Sequence, residues 1–329
     1  MAVTPEGRRL TEAHRLAQQQ VRARFLVEFL ALWPLLDPVR LDETSPGWIR
    51  AVMRVIEVFR TRSAEVSAQY YLDFRAHEAP ATPRLELPPG VPRPAPRAAT
   101  PRPSAPSPNR RQPPRTPEPV RRQSRPAPEV IPDVPNSPVF RFDLDDSVFE
   151  PAPRRQTTVH IPDIDWTPAD RAARVSLEVT GPVGQKSKAK RGKPLKVAQD
   201  ESFTEAAGAA SRHVLTGGRQ SLLTLLEDDP QALAWARVTD GDPCAFCSLL
   251  ASRGPVYLSE SSAAFRAHDN CACTAEPVYS RQAPWPGRAA EFRQLYRQAT
   301  RGYSGQDAIN AYRRAYEQQR RDRRQPNVA

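Results

Sequence analysis

The sequence predicts a mainly α protein: an N-terminal helical hairpin over 1–78, a long disordered Pro/Arg-rich linker over 79–159, and an α-rich domain over 160–318 that carries a small β knuckle. A basic tail over 319–329 follows. Three observations predict this. Apolar residues recur at steps of three and four at both ends of the chain, 20 of the 37 prolines fall between Pro80 and Pro138, and all four cysteines fall within 30 residues.

In the first helix Thr4-Pro5 supplies an N-cap and a proline at the first helical position. Leu10, Ala13, Ala17, Val21, Phe25 and Phe29 then trace one face, and Pro34 and Pro38 end it. Ser45-Pro46 reads as the start of a second helix with Trp48, Val52, Val55, Phe59, Ser63, Val66 and Tyr70 inward. Two long amphipathic helices joined by a short turn make a hairpin. Its aromatics Trp33, Trp48, Phe59, Tyr70 and Tyr71 exceed what two helices bury between themselves, so they are expected as interface anchors.

The Pro/Arg/Ser-rich stretch that follows holds too few large apolar residues to offset its ordering entropy. Within it Phe140 to Phe149 (FRFDLDDSVF) forms a local apolar and acidic patch, readable as a docking motif or as a stretch without a role. Beyond it, Pro168 to Gly181 has helical or extended character. An alanine-rich helix spans about Ser202 to Leu215, Gly217-Gly218 punctuates it, and a short helix covers Arg219 to Glu227. Pro255–Leu258 and Pro277–Tyr279 look strand-like. Two helices close the domain, one with Phe292, Leu295, Tyr296 and Ala299 inward, the other with Ala308, Tyr312, Ala315 and Tyr316 inward after a Ser304-x-x-Asp307 capping box. Arg320 to Arg324 reads as a frayed basic end.

The net charge is +11, and 43 of the 48 basic residues are arginine. All five lysines lie in one run, so Lys186, Lys188, Lys190, Arg191, Lys193 and Lys196 are candidate non-specific DNA contacts, set against the plainer reading of a solvated loop. No apolar run approaches a membrane span. The longest, Phe25 to Leu36, holds Glu28 and Pro34. No secretory signal is visible, so the cysteines are expected in a reducing cytoplasm, where clustering favours metal over disulfides.

Those cysteines are Cys244-Ala-Phe-Cys247 and Cys271-Ala-Cys273, with His268 three residues before Cys271. Two sulfur pairs and an imidazole suit the tetrahedral N/S preference of a structural zinc ion. Five candidates for four places leave two ligand sets open: four thiolates, or three thiolates with the imidazole. Pro243-Cys-x-x-Cys also matches half of a zinc deaminase signature, but no histidine has glutamate two residues on, so that chemistry lacks its proton carrier. There is no G-x-S-x-G, H-E-x-x-H, P-loop or dinucleotide fingerprint. A Ser/His pair assembled only by folding stays open, and His213 reads as a helix-surface residue.

Four stretches carry a resemblance: Trp235 to Cys247 (WARVTDGDPCAFC), Ala251 to Tyr257 (ASRGPVY), His268 to Thr274 (HDNCACT), and Ser63 to Arg75. On these residues the chain resembles the Mu F-like minor head proteins of tailed phages, most closely a branch from phages of actinobacteria labelled minor capsid or capsid maturation proteins. The resemblance implies a virion protein of the capsid interior, present in a few copies, assembled in the host cytoplasm, associated with the portal and other head proteins and able to contact packaged DNA; the leading reading is that it is not an enzyme. The alternatives are a capsid maturation protease and a general nucleic-acid-binding zinc protein.

Overall fold

The computed structural model describes residues 2–80, 161–255 and 265–324. The linker, its Phe140–Phe149 patch and the strand expected through Leu258 lie outside the described residues. The described parts belong to one unit, Met1–Thr82 with Thr158–Ala329. It is mostly helical, as the sequence predicts, with one two-stranded sheet among the described residues.

Helix α1 (Pro5–Leu32) starts where Thr4 Oγ1 accepts the Gly7 amide at 2.9 Å. A single 3₁₀ turn at Trp33–Leu35 carries Pro34 and leads to α2 (Leu41–Glu78). This helix begins four residues before Ser45, and Pro46 lies inside it; the helix omits one amide donor there and continues. The buried face of α1 departs from the expected one. Its first half buries Thr11, His14 and Gln18 while Ala13 is exposed. Those polar groups answer one another across the hairpin: Gln18 Nε2 donates to Ser63 O, Ser63 Oγ donates to Gln18 Oε1, and His14 stacks on Tyr70 with ring centres 4.2 Å apart.

The hairpin packs on α5 (Leu195–Glu227), a single helix where the sequence pattern predicts two. Gly217 and Gly218 do not break this helix. They let α2 approach it. A Cβ on Gly217 would sit 2.1 Å from the Arg60 carbonyl oxygen, and one on Gly218 would sit 2.5 Å from Ser67 Oγ. The Gly218 amide donates to Ser63 Oγ at 2.9 Å. One core joins Phe25, Phe29, Trp48 and Ile56 of the hairpin to Leu177, Ala206, Ala210 and Val214. Three of the five expected aromatic anchors are therefore interior, Trp48 at 1% exposed with Tyr70 and Tyr71 also buried, while Trp33 and Phe59 are half-buried against the same core, Trp33 edge-on to Phe203. A third helix layer takes up the surplus.

Between linker and α5 lie α3 (Thr167–Glu178), a π-wound segment (Val179–Val183) and α4 (Gly184–Lys190). Pro182 removes an amide donor there, and Gly181 lies against Trp48, where a Cβ would come within 2.9 Å of the indole. After α5 come β1 (Ala234–Val238), α6 (Ala245–Ala251) and β2 (Thr274–Val278). The strands are antiparallel, Trp235 opposite Pro277 and Val238 opposite Thr274. The sequence pattern does not predict β1, and the strand expected over Pro277–Tyr279 begins earlier, at Thr274. Helices α7 (Ala289–Ala299) and α8 (Gly305–Arg324) cover α6 through Phe292, Tyr312 and Tyr316. The expected frayed end is helical to Arg324, because Arg320 holds both carboxylate oxygens of Asp242 and Arg324 pairs with the same group. No helix among the described residues is long and apolar enough to cross a membrane.

Candidate metal centre

The knuckle follows from strand pairing. Antiparallel register puts the end of β1 beside the start of β2, since Val238 faces Thr274. The chain leaving β1 reaches Cys244 six residues later, and the chain entering β2 passes Cys271 and Cys273 just before it. Two cysteine pairs far apart in sequence thus meet at one end of the sheet. Cys244 caps α6, its sulfur accepting the Cys247 amide at 3.4 Å. On the other side, the Asn270 amide donates to the Gly208 carbonyl, and Asn270 adopts a left-handed φ of 64°. A Cβ on Gly208 would strike the Asn270 side chain at 2.5 Å, and Arg212 pairs with Asp269 at 2.8 Å. Helix α5 is the anvil on which the His268–Cys273 loop is bent.

All five predicted ligands converge. Cys244, Cys247 and His268 form one set with ligand atoms within 4.8 Å of one another, and Cys247, Cys271 and Cys273 form a second. Cys247 belongs to both. Its sulfur lies 3.4 Å from Cys271 Sγ and 3.7 Å from His268 Nε2. Tetrahedral zinc at ordinary bond lengths separates two sulfurs by about 3.8 Å and sulfur from nitrogen by about 3.5 Å. Cys244 Sγ and His268 Nε2 are closer still, at 2.5 Å. All four cysteines are free thiols, and Cys247, Cys271 and Cys273 are each at most 2% exposed.

The electrostatics suit a cation. Hydrogen bonds from Cys247, with His268 adding, pull the Cys244 thiol down to about 5. Cys247 and Cys273, then the Arg219 charge, also lower Cys271. Cys247 is pushed up by Cys244, Cys271 and Cys273 crowding it, and Cys273 rises to about 12, where a hydrogen bond from Cys247 is outweighed by Cys271 and burial. Thiols at such distances must alternate between charged and protonated unless a metal ion neutralises them together. His268 is prepared as a ligand: its Nδ1–H donates to the Asp269 carbonyl, which leaves the Nε2 lone pair facing Cys244 and Cys247. The donor set fits zinc, and Cys244, Cys247, His268, Cys271 and Cys273 are the residues that would hold it.

Sequence reasoning misses Arg219. It donates to the carbonyls of Cys271 (2.6 Å) and Cys273 (3.1 Å), reaches Cys271 Sγ at 3.6 Å, and lies over the Phe265 ring. Burial lowers its pKa, opposed by the charge of the cysteines. A signal exists: Arg219 falls on the apolar stripe of Leu215, Leu222 and Leu226, where an arginine needs a buried partner.

The lysine run does not converge. Lys188 is buried and pairs with Glu205 (2.6 Å) and Ser202 Oγ (3.1 Å), which removes it from the DNA-contact candidates. Lys186 pairs with Asp42, Lys193 with Glu201 and Lys196 with Asp200. Only Lys190 and Arg191 of the six make no ion pair among the described residues.

Folding does assemble two Ser/His pairs. His14 Nε2 is 2.9 Å from Ser67 Oγ beside a cavity of about 10 Å³, room for one water and no peptide. His213 Nε2 is 3.0 Å from Ser176 Oγ, and His213 is buried, which corrects its expected surface position. Ser176 gives its proton to the Ala172 carbonyl, and Arg212 Nη2 donates to both Ser176 Oγ and His213 Nε2 at 3.3 Å, so the imidazole nitrogen is occupied by a cation and is not free to activate Ser176. Desolvation lowers His14 to about 3 and His213 to about 4, the latter with help from Arg212.

Fold and cluster define a helical protein whose two strand ends meet at a Cys/His cluster that could hold a metal ion. Comparison with known proteins agrees with this region being the recognisable one: the family described as VG15 protein matches residues 171–299, from α3 through the cluster to α7. The chain is also similar to the Gene 15 protein of Mycobacterium phage D29, at 28% identity over 43% of this chain and 62% of that protein. The chain thus spans less than two thirds of that relative's length. No solved structure matches it.

Proposed function

We propose that this chain is a non-enzymatic structural or assembly protein of a tailed-phage head, of the Mu F-like minor capsid type, held inside the capsid and associated with the portal. The observation that carries this reading is the placement of the Cys/His cluster. It sits between strand ends and α5, with three of its sulfurs almost fully enclosed and only Cys244 and His268 half-buried, so a bound zinc held by the enclosed thiolates would pin the fold. Similarity to a phage Gene 15 protein supports the phage setting.

The maturation-protease reading has one specific observation in its favour, the His213–Ser176 contact, but the Ser176 proton is committed to Ala172. Co-expression of the full chain with the portal and major capsid proteins of its phage tests both readings. Association with portal and a few copies in purified heads are expected, with all head proteins uncut. Absence from heads together with cleavage that Ser176→Ala abolishes would replace this reading with the protease.

A further inference from the structure

We propose that the outer face of the α7–α8 hairpin binds the phosphate backbone of duplex nucleic acid. The inference goes beyond the head-assembly reading and stands apart from it, since it rests on charge placement and not on any portal contact. From Arg288 to Arg324 the chain holds ten arginines, no lysine and four acidic residues.

Part of that charge is used internally. Arg288 pairs with Glu291, and Arg320 and Arg324 pair with Asp242. Arg293 lies over the Trp285 ring. The remaining six, Arg297, Arg301, Arg313, Arg314, Arg321 and Arg323, are exposed and make no ion pair among the described residues. The lysine run is the reverse case, with four of its six charges answered by this chain's own carboxylates.

Geometry favours an extended polyanion. Arg314 and Arg321 are seven residues apart, so they lie on one side of α8, about 10 Å apart at 1.5 Å per residue. Phosphates of one duplex strand advance about 3.4 Å per step, so this pair spans roughly three base pairs, with Arg313 beside it, Arg297 on α7 and Arg301 in the turn between the helices. A guanidinium grips phosphate oxygens through two parallel N–H groups, and six spread over two helices and their connecting turn suit a repeating backbone better than one bounded acidic group. Contacts to phosphates carry no sequence information, so binding through them is independent of sequence.

The test uses the full chain and unrelated 30-base-pair duplexes, with affinity measured against salt. Expected is weak binding whose steepness against log salt falls by about 1 to 3 in R301Q/R314Q/R323Q, at roughly 0.9 for each phosphate no longer neutralised. R301K/R314K/R323K should keep the original slope, which separates a charge effect from a folding defect, and K190Q/K193Q/K196Q should leave it unchanged. No duplex binding at 50 mM salt overturns the proposal. So does a slope that the lysine-run variant flattens and the arginine-to-glutamine variant does not. Polyglutamate binding as tight as duplex binding at equal salt also overturns it, assigning the face to an acidic protein surface.

Discussion

The cysteine window and the lysine run are both dense clusters of one residue type, yet the fold treats them oppositely. Strand pairing gathers the five Cys/His groups into two sets of three that share Cys247, the ligand atoms of each set lying within 4.8 Å of one another. The lysines are dispersed onto Asp42, Glu205, Glu201 and Asp200, one carboxylate each. A buried thiol cluster has no better partner than a metal. A lysine needs only the nearest acid, and α5 supplies three of the four. Clustering in sequence points to a site when the residue type cannot be satisfied locally.

The largest expected effect is at the residue common to both ligand sets. Cys247→Ser should abolish stoichiometric metal, measured as about one zinc per chain in protein purified without chelator, and unfold the knuckle. Its effect should exceed that of any other single ligand swap, because each of the others belongs to one set alone. Metal-free protein with four titrating thiols and unchanged stability would break the comparison at its first term.

Next comes the close approach of α2 to α5. Gly217→Ala meets a backbone carbonyl at 2.1 Å, so urea melts should show a loss of about 3 kcal/mol. Gly47→Ala, with nothing within 4 Å in helix α2, should gain about 0.5–1 kcal/mol.

Acid provides a third measurement. His14 ionises near 6.5 when unfolded and at about 3 when buried, so the folded state excludes its proton. Stability is complete above pH 6.5 and falls as pH drops toward 3, by on the order of 3 kcal/mol at pH 4.5 from this group alone. His14→Gln should remove that share of the difference between urea melts at pH 7 and pH 4.5. An unchanged difference would show that His14 takes up its proton without unfolding.

The smallest effects belong to the lysines. Lys188→Met should cost on the order of 1 kcal/mol, because its partner Glu205 is half exposed and re-solvates. Lys196→Ala should cost about 0.3 kcal/mol. Equal losses would mean that burial of Lys188 contributes nothing.

Much of this is legible in the sequence. Helix periodicity and the Thr4 cap locate the hairpin, and spacing alone identifies all five cluster residues. Strand β1 is hidden because Ala-Trp-Ala-Arg-Val is short and includes Arg237, whose buried guanidinium donates to the Arg266 carbonyl. The Gly217-Gly218 pair looks like punctuation because a glycine needed for close approach and one needed for a turn are the same letter. Only the Arg60 and Ser67 neighbours tell them apart. Burial of the hairpin aromatics depends on α5, more than 120 residues away in sequence from Phe74.

Both ends of the Pro/Arg-rich stretch return to one core: α2 ends at Glu78, α3 begins at Thr167, and each packs on α5. In covalent terms residues 81–160 therefore join two parts of a single folding unit. Residues 1–80 and 161–329 should reassemble when co-expressed as separate chains and elute as one particle. Either half alone should aggregate, its share of the common core left bare.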